Sequence, residues 1–209
     1  MNIFKRKPDI KKLSALLSYG LFVDVESAGL DPQVNGILSV GACALDGGEY
    51  YGECHLYSHQ KAEKAALKIN GLKEEDIIYK AGHDLDSPHE MVRKFVEWSR
   101  KCLRKEAPIG YIIGKNPRWD YEMLKAPWDN VFAKDGPNPE PFPFSHRVID
   151  LTSIAALAYL KDGREIPAGG ISSGELQKYL KMDNEPSPHN ALTGAKYNRE
   201  MLLKLLEKI

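Results

Sequence analysis

The sequence predicts one α/β domain built on a mixed β-sheet flanked by helices. Strand-like segments joined by turn residues come first, and helical periodicity then alternates with short apolar strands. The chain has 209 residues and 43% hydrophobic content, enough for one substantial core, since roughly 100–200 residues per domain is usual.

Residues Pro8 to Tyr19 place Ile10, Leu13, Leu16 and Leu17 at helical spacing, so a short amphipathic helix is expected ahead of the fold. This divides the chain into an N-terminal helical extension, 1–19, and a main domain, 20–209. Leu21-Phe22-Val23 is a compact apolar run ending in Asp24, and Ile37 to Leu45 is a longer run of small and β-branched residues. Both read as strands. Asp46-Gly47-Gly48-Glu49 supplies turn chemistry before a strand-like Tyr50 to Tyr57, which gives a meander.

Further along, the pattern predicts a helix over Pro88 to Leu103, a buried strand over Ile109 to Ile113, and a helix from Pro117 to Leu124. The five prolines between Pro127 and Ser145 point to a surface loop rather than a linker. Val148-Ile149 forms a short strand ending at Asp150, which reads as the N-cap of a helix over Leu151 to Leu160. Helices over Ser173 to Leu180 and Asn190 to Ile209 complete the chain. No repeats or low-complexity tracts interrupt it.

Lysine plus arginine equal aspartate plus glutamate at 29 each, so no global positive field advertises a nucleic-acid partner. Any such binding rests on local patches such as Lys5-Arg6-Lys7 with Lys11-Lys12, and Lys101 to Lys105, which are as readily solvated faces. Cys43, Cys54 and Cys102 form no Cys-x-x-Cys pair, which argues against zinc or dithiol chemistry. The basic stretch Met1 to Lys12 lacks the apolar segment of a secretory signal. The run Ile154 to Leu160 is far below the ~20 residues of a membrane span. A soluble, cytoplasmic protein with no membrane partner is expected.

Three constellations carry chemistry. Asp24-Val25-Glu26 closes the first strand, where residues two apart share a face and two carboxylates can share divalent ions. Asp120, in Asn116-Pro117-Arg118-Trp119-Asp120, falls in the first turn of a helix, where a carboxylate also suits the helix dipole. His189, in Pro188-His189-Asn190-Ala191-Leu192, precedes the last helix, and an imidazole is suited to taking a proton from water near neutral pH. Each alone is more often structural: a solvated strand end, a helix-stabilising acid, a loop histidine.

Their joint order resembles the three motifs of the DEDDh exonucleases, which include polymerase proofreading subunits and RNase T-like enzymes. The likeness extends through Phe22 to Pro32, Ile37 to Ala44, Ile69-Asn70-Gly71-Leu72 and Ile171 to Leu180, so it covers the chain from about Leu21 onward. It implies an RNase H-like fold and a 3′-to-5′ exonuclease that releases nucleoside monophosphates from single-stranded DNA or RNA 3′ ends. It also implies two Mg²⁺ or Mn²⁺ ions held by Asp24, Glu26 and Asp120, with His189 as general base. Trp119 stands where relatives commonly have Phe, and core packing is favoured over base stacking there.

One position departs from the pattern. The family's fourth acid lies five residues after the histidine, and here that residue is Gly194. Weakened metal binding is the implied consequence, because Asn190 and Asn198, one turn either side, are poor donors to a hard cation. Glycine costs about 1 kcal/mol in a helix relative to alanine. The backbone at 194 is therefore expected to accept aspartate, unless the glycine serves close packing. The rival readings are an inactive exonuclease-fold module that binds or regulates nucleic acid, and a purely structural partner-binding domain. Oligomeric state is not encoded in any of these features.

Overall fold

The computed structural model of the chain describes residues 17–78, 85–129 and 140–209. The expected N-terminal helix therefore lies outside the described residues except for its last few positions, and so do its basic residues. Five strands form one mixed sheet: β1 (Gly20–Ser27), β2 (Ile37–Cys43), β3 (Glu49–Glu53), β4 (Tyr111–Gly114) and β5 (Ile149–Asp150). Their order across the sheet is β3-β2-β1-β4-β5. The first three strands are an antiparallel meander, whereas β4 and β5 run parallel to β1. The described helices are α1 (Lys64–Asn70), α2 (Glu74–Ile77), α3 (Pro88–Cys102), α4 (Pro117–Trp128), α5 (Leu151–Lys161), α6 (Ser173–Leu180) and α7 (Ala191–Lys208).

The central strand β1 is covered on both faces, and its alternation sorts the core. Leu21, Val23 and Val25 join one cluster with Met91 and Phe95 of α3 and Leu124 of α4. Phe22 points the other way, into a cluster built from α5, α6 and α7. Period-two alternation puts Asp24 and Glu26 on the Phe22 side, beneath α7.

Local chemistry explains where the helices start. Ser87 accepts from Glu90 N–H ahead of Pro88, Ser172 forms a reciprocal capping box with Glu175, and Asp150 accepts from Thr152 N–H as expected. Each satisfies backbone donors that a helix leaves open at its first turn. In α4 the entry is made by Asn116 in the left-handed region, φ 55°, followed by Pro117.

The segment from Pro127 to Ser145 is not simply a surface loop. Helix α4 runs on through Pro127 to Trp128, beyond its expected end at Leu124. After residues 130–139, which lie outside the described part, Phe142 and Phe144 are buried against Trp128 and Phe95. Ile109 N–H donates to Pro143 O and Ser145 N–H to Gly110 O, so the stretch pairs with backbone beside β4. Prolines obscured this because strand periodicity is too short there to register. The short helices α1 and α2 were also not expected, since a turn or two of helix carries little periodic signal.

Candidate functional site

Helix α7 reaches the sheet through two glycines. A Cβ on Gly41 of β2 would lie 2.1 Å from the Leu192 nitrogen, and a Cβ on Gly194 would lie 2.3 Å from Asp24 Oδ2 and 2.6 Å from its Cγ. Gly41 is the register partner of Asp24. The helix thus starts directly against the strand pair that carries the acid. Asn190 secures that start by accepting from Leu192 and Thr193 N–H at 3.1 and 3.2 Å.

Asp24, Glu26 and His189 line one cleft of about 420 Å³, with Gly194, Lys115 and Trp119 among its other walls. Asp120 lies behind it, only 4% exposed, and its Oδ1 accepts from Val25 N–H at 3.1 Å. That bond ties the first turn of α4 to the strand between the two motif acids. His189 is exposed on the loop before α7, and its N–H donates to Ile69 O at 3.2 Å. The four expected site residues therefore gather at one end of β1, three at the cleft and Asp120 beneath it.

Burial governs the electrostatics. Asp24 is held well above the usual carboxylate range, first by desolvation and then by the charges of Asp120, Glu26 and Glu185. Glu26 is pushed up to about 7 by burial and by Glu185. Asp120 is raised by burial, with the Val25 and Asp120 backbone N–H groups acting in the opposite direction. No lysine or arginine among the described residues forms an ion pair with these three acids. In a low-dielectric cleft such uncompensated oxygens favour either protons or a cation.

In kind, these oxygen donors fit a hard divalent ion. In number they fall short. No three His, Cys, Asp or Glu side chains among the described residues are arranged to hold a metal as they stand, and position 194 contributes no side chain. As the two elements pack, any residue larger than glycine there would displace the Asp24 carboxylate. The expectation that the backbone accepts aspartate at 194 is corrected accordingly, because close approach of strand and helix, and not helix propensity, sets the identity of that residue.

Several cleft residues were not singled out from the sequence. Lys115 hydrogen-bonds Ser173 at the rim, and Leu30 and Ile69 expose apolar surface into the cleft. Asn70 lines it too, donating to Ser27 O while its buried Oδ1 has no partner among the described residues. A buried acceptor left open in a cleft wall is a place for a ligand donor or water. Trp119 is half-buried against the core and donates to Leu30 O at 2.9 Å, yet it also lines the cleft, so it serves both the core and the cleft wall. Glu185 was missed because it lies in the aperiodic Asp183 to Pro188 loop, where only its nearness to His189 in sequence could have drawn notice.

No protein-family model matches the chain. It is similar to the 3′-5′ DNA exonuclease Cap18 of Escherichia coli, 25% identical over 188 residues and covering 90% of each chain. It is also similar to the PolC-type DNA polymerase III of Thermotoga maritima, 25% identical over 139 residues, covering 64% of this chain and 9% of that protein. Among solved structures it resembles E. coli exonuclease I in complex with a dA16 oligonucleotide, with TM-score 0.61 and 19% identity over 90% of this chain and 40% of that one. A zinc-bound form of the exonuclease I–ssDNA complex gives TM-score 0.62 at 18% identity, again covering 90% and 40%. The chain thus spans less than half the length of exonuclease I and a small part of the polymerase. It has the RNase H-like fold of exonuclease I and a sequence similar to that of a 3′–5′ DNA exonuclease.

Proposed function

We propose that this chain is a 3′-to-5′ exonuclease that acts on single-stranded nucleic-acid ends with the help of divalent metal, its activity lowered by the glycine at 194. The observation that carries this reading is the gathering of Asp24, Glu26, Asp120 and His189 at one end of β1 around a single cleft. Similarity to a DNA exonuclease and to a fold solved with oligonucleotides favours DNA.

Asp24, Glu26 and Asp120 would hold Mg²⁺ or Mn²⁺, which when bound would lower the pKa of the attacking water and neutralise charge on the phosphodiester. The protein's own groups do the rest. His189, free to reach the cleft mouth, takes a proton from that water. Lys115 offers its ammonium to a phosphate, and Trp119, Leu30 and Ile69 present surface against which an unpaired terminal base can lie.

A second reading, a 3′-end-binding module without turnover, is favoured by the side-chain-free position 194 and by the lack of a ready three-ligand metal shell. A 5′-labelled single-stranded DNA and its RNA counterpart, incubated with Mg²⁺ or Mn²⁺, separate the two. The exonuclease gives a ladder shortening from the 3′ end that Asp24→Ala abolishes, a loss larger than the roughly 10–100-fold caused by removing a group that merely supports a ligand. Binding without shortening in either metal would leave the module reading in its place.

A further inference from the structure

Position 194 offers no carboxylate, and a Cβ there would lie 2.3 Å from Asp24 Oδ2, so any further carboxylate of the site lies elsewhere in the fold. The two neighbouring asparagines are already committed. Asn190 Oδ1 caps α7, and Asn198, buried, donates from Nδ2 to Val23 O at 3.3 Å. Two other acids line the cleft, Glu63 and Glu185. Glu63 is exposed and is not among the charges that shift Asp24 or Glu26.

Glu185 differs on each count. It is half-buried and has no hydrogen-bond or ion-pair partner among the described residues. The loop that carries it is tied to α7 by Tyr197, whose hydroxyl donates to Asp183 O at 2.7 Å. Asp183 is two residues before Glu185, and Tyr197 is one helical turn after Gly194, so the tie fixes the loop over the stretch of α7 that lacks a side chain. The charge of Glu185 also reaches both Asp24 and Glu26. In the same cleft, the buried Oδ1 of Asn70 has no hydrogen-bond partner among the described residues and is an independent acceptor open to a ligand.

We propose that Glu185, held on the loop ahead of α7, supplies the fourth carboxylate of this site and replaces in space the side chain that Gly194 lacks. This rests on the exonuclease reading above. Two routes to a carboxylate differ in reach: an aspartate on α7 would press on Asp24, whereas the longer glutamate arm enters from the loop side, where the cleft is open. Hard cations accept oxygen ligands from loops as readily as from helices.

Mn²⁺ titration by calorimetry, together with melting temperature with and without Mn²⁺, tests this on wild-type protein, Glu185→Gln, Glu63→Gln and Asp24→Asn. Glu185→Gln is expected to weaken Mn²⁺ binding by about tenfold or more and to shrink the metal-induced rise in melting temperature. Glu63→Gln is expected to change neither. Without metal, Glu185→Gln should melt no lower than wild type, because it removes a repelling charge. If Glu185→Gln binds Mn²⁺ like wild type while Asp24→Asn does not, Glu185 is no ligand and the exonuclease reading still stands. If wild type itself takes up no Mn²⁺ at millimolar concentration, both fall together.

Discussion

The two halves of the site are built differently. On the strand side, Asp24 and Glu26 stand on the central strand of the sheet, and Asp120 is fixed to it by the Val25 N–H. On the helix side, His189 and Glu185 ride an exposed loop, held by His189 N–H on Ile69 O and by Tyr197 on Asp183 O. The helix itself lines the cleft with Gly194, Tyr197, Asn198 and Met201, none of them an acid. The first half is set by backbone hydrogen bonding and burial, so its acids are rigid and strongly desolvated. The second half is set by a few tethers, so its chemistry can be rearranged, or a ligand moved from helix to loop, without disturbing the core.

The sharpest way to break this contrast is to put a side chain where the halves touch. Gly194→Ala should destabilise the protein by about 1–3 kcal/mol, the usual cost of overpacking, despite alanine being the better helix former. The cause is the Asp24 carboxylate, 2.3 Å from the added Cβ. In Gly194→Ala with Asp24→Ala most of that penalty should vanish, giving a coupling well outside simple additivity in a denaturation double-mutant cycle. Additive effects would show that the contact with Asp24 is not what keeps residue 194 a glycine.

A smaller effect distinguishes the halves by pH. Glu26 titrates near 7 in the folded protein and near its ordinary value, 4.5, when unfolded. Between those pH values the folded state binds more protons than the unfolded state, so stability falls as pH rises through this window. Metal-free protein should therefore melt progressively lower from pH 4.5 to pH 7, and Glu26→Gln should lessen the trend, with the raised carboxyls of Asp24 and Asp120 sustaining the rest. A melting temperature that climbs over the same range would contradict the desolvation argument for the strand side.

The smallest change expected is at the rim. Lys115→Ala should weaken binding of a labelled single-stranded oligonucleotide modestly and lower the dependence of log affinity on log salt by about one contact's worth, roughly 0.7 for a single strand. Anisotropy titrations at several salt concentrations measure both. An unchanged salt slope would remove Lys115 from the phosphate path.

Much of this was written in the sequence, and for identifiable reasons. The Leu21 to Glu26 run fixed a strand and, through its period of two, put Asp24 and Glu26 on one face. Asp150 marked a helix start, because its side chain closes an open backbone donor within one turn of chain. The order of Asp24, Glu26, Asp120 and His189 was enough to suggest their convergence. These are local patterns, or a motif order that survives without knowledge of distances.

Tertiary structure alone decided the rest. That Asp120 binds the Val25 N–H joins residues 95 positions apart, and no spacing rule encodes such a bond. Phe142 and Phe144 became core only because Trp128 and Phe95 met them across the fold. Gly194 reads in sequence as a missing acid, but the packing of α7 on β1 sets it so close to Asp24 that any Cβ there would meet the carboxylate at 2.3 Å. Glu185 entered the site by the same route: a loop's chain conformation, tied to α7 through a tyrosine, carried a charge into a low-dielectric cleft, where burial multiplies its effect on the acids already there.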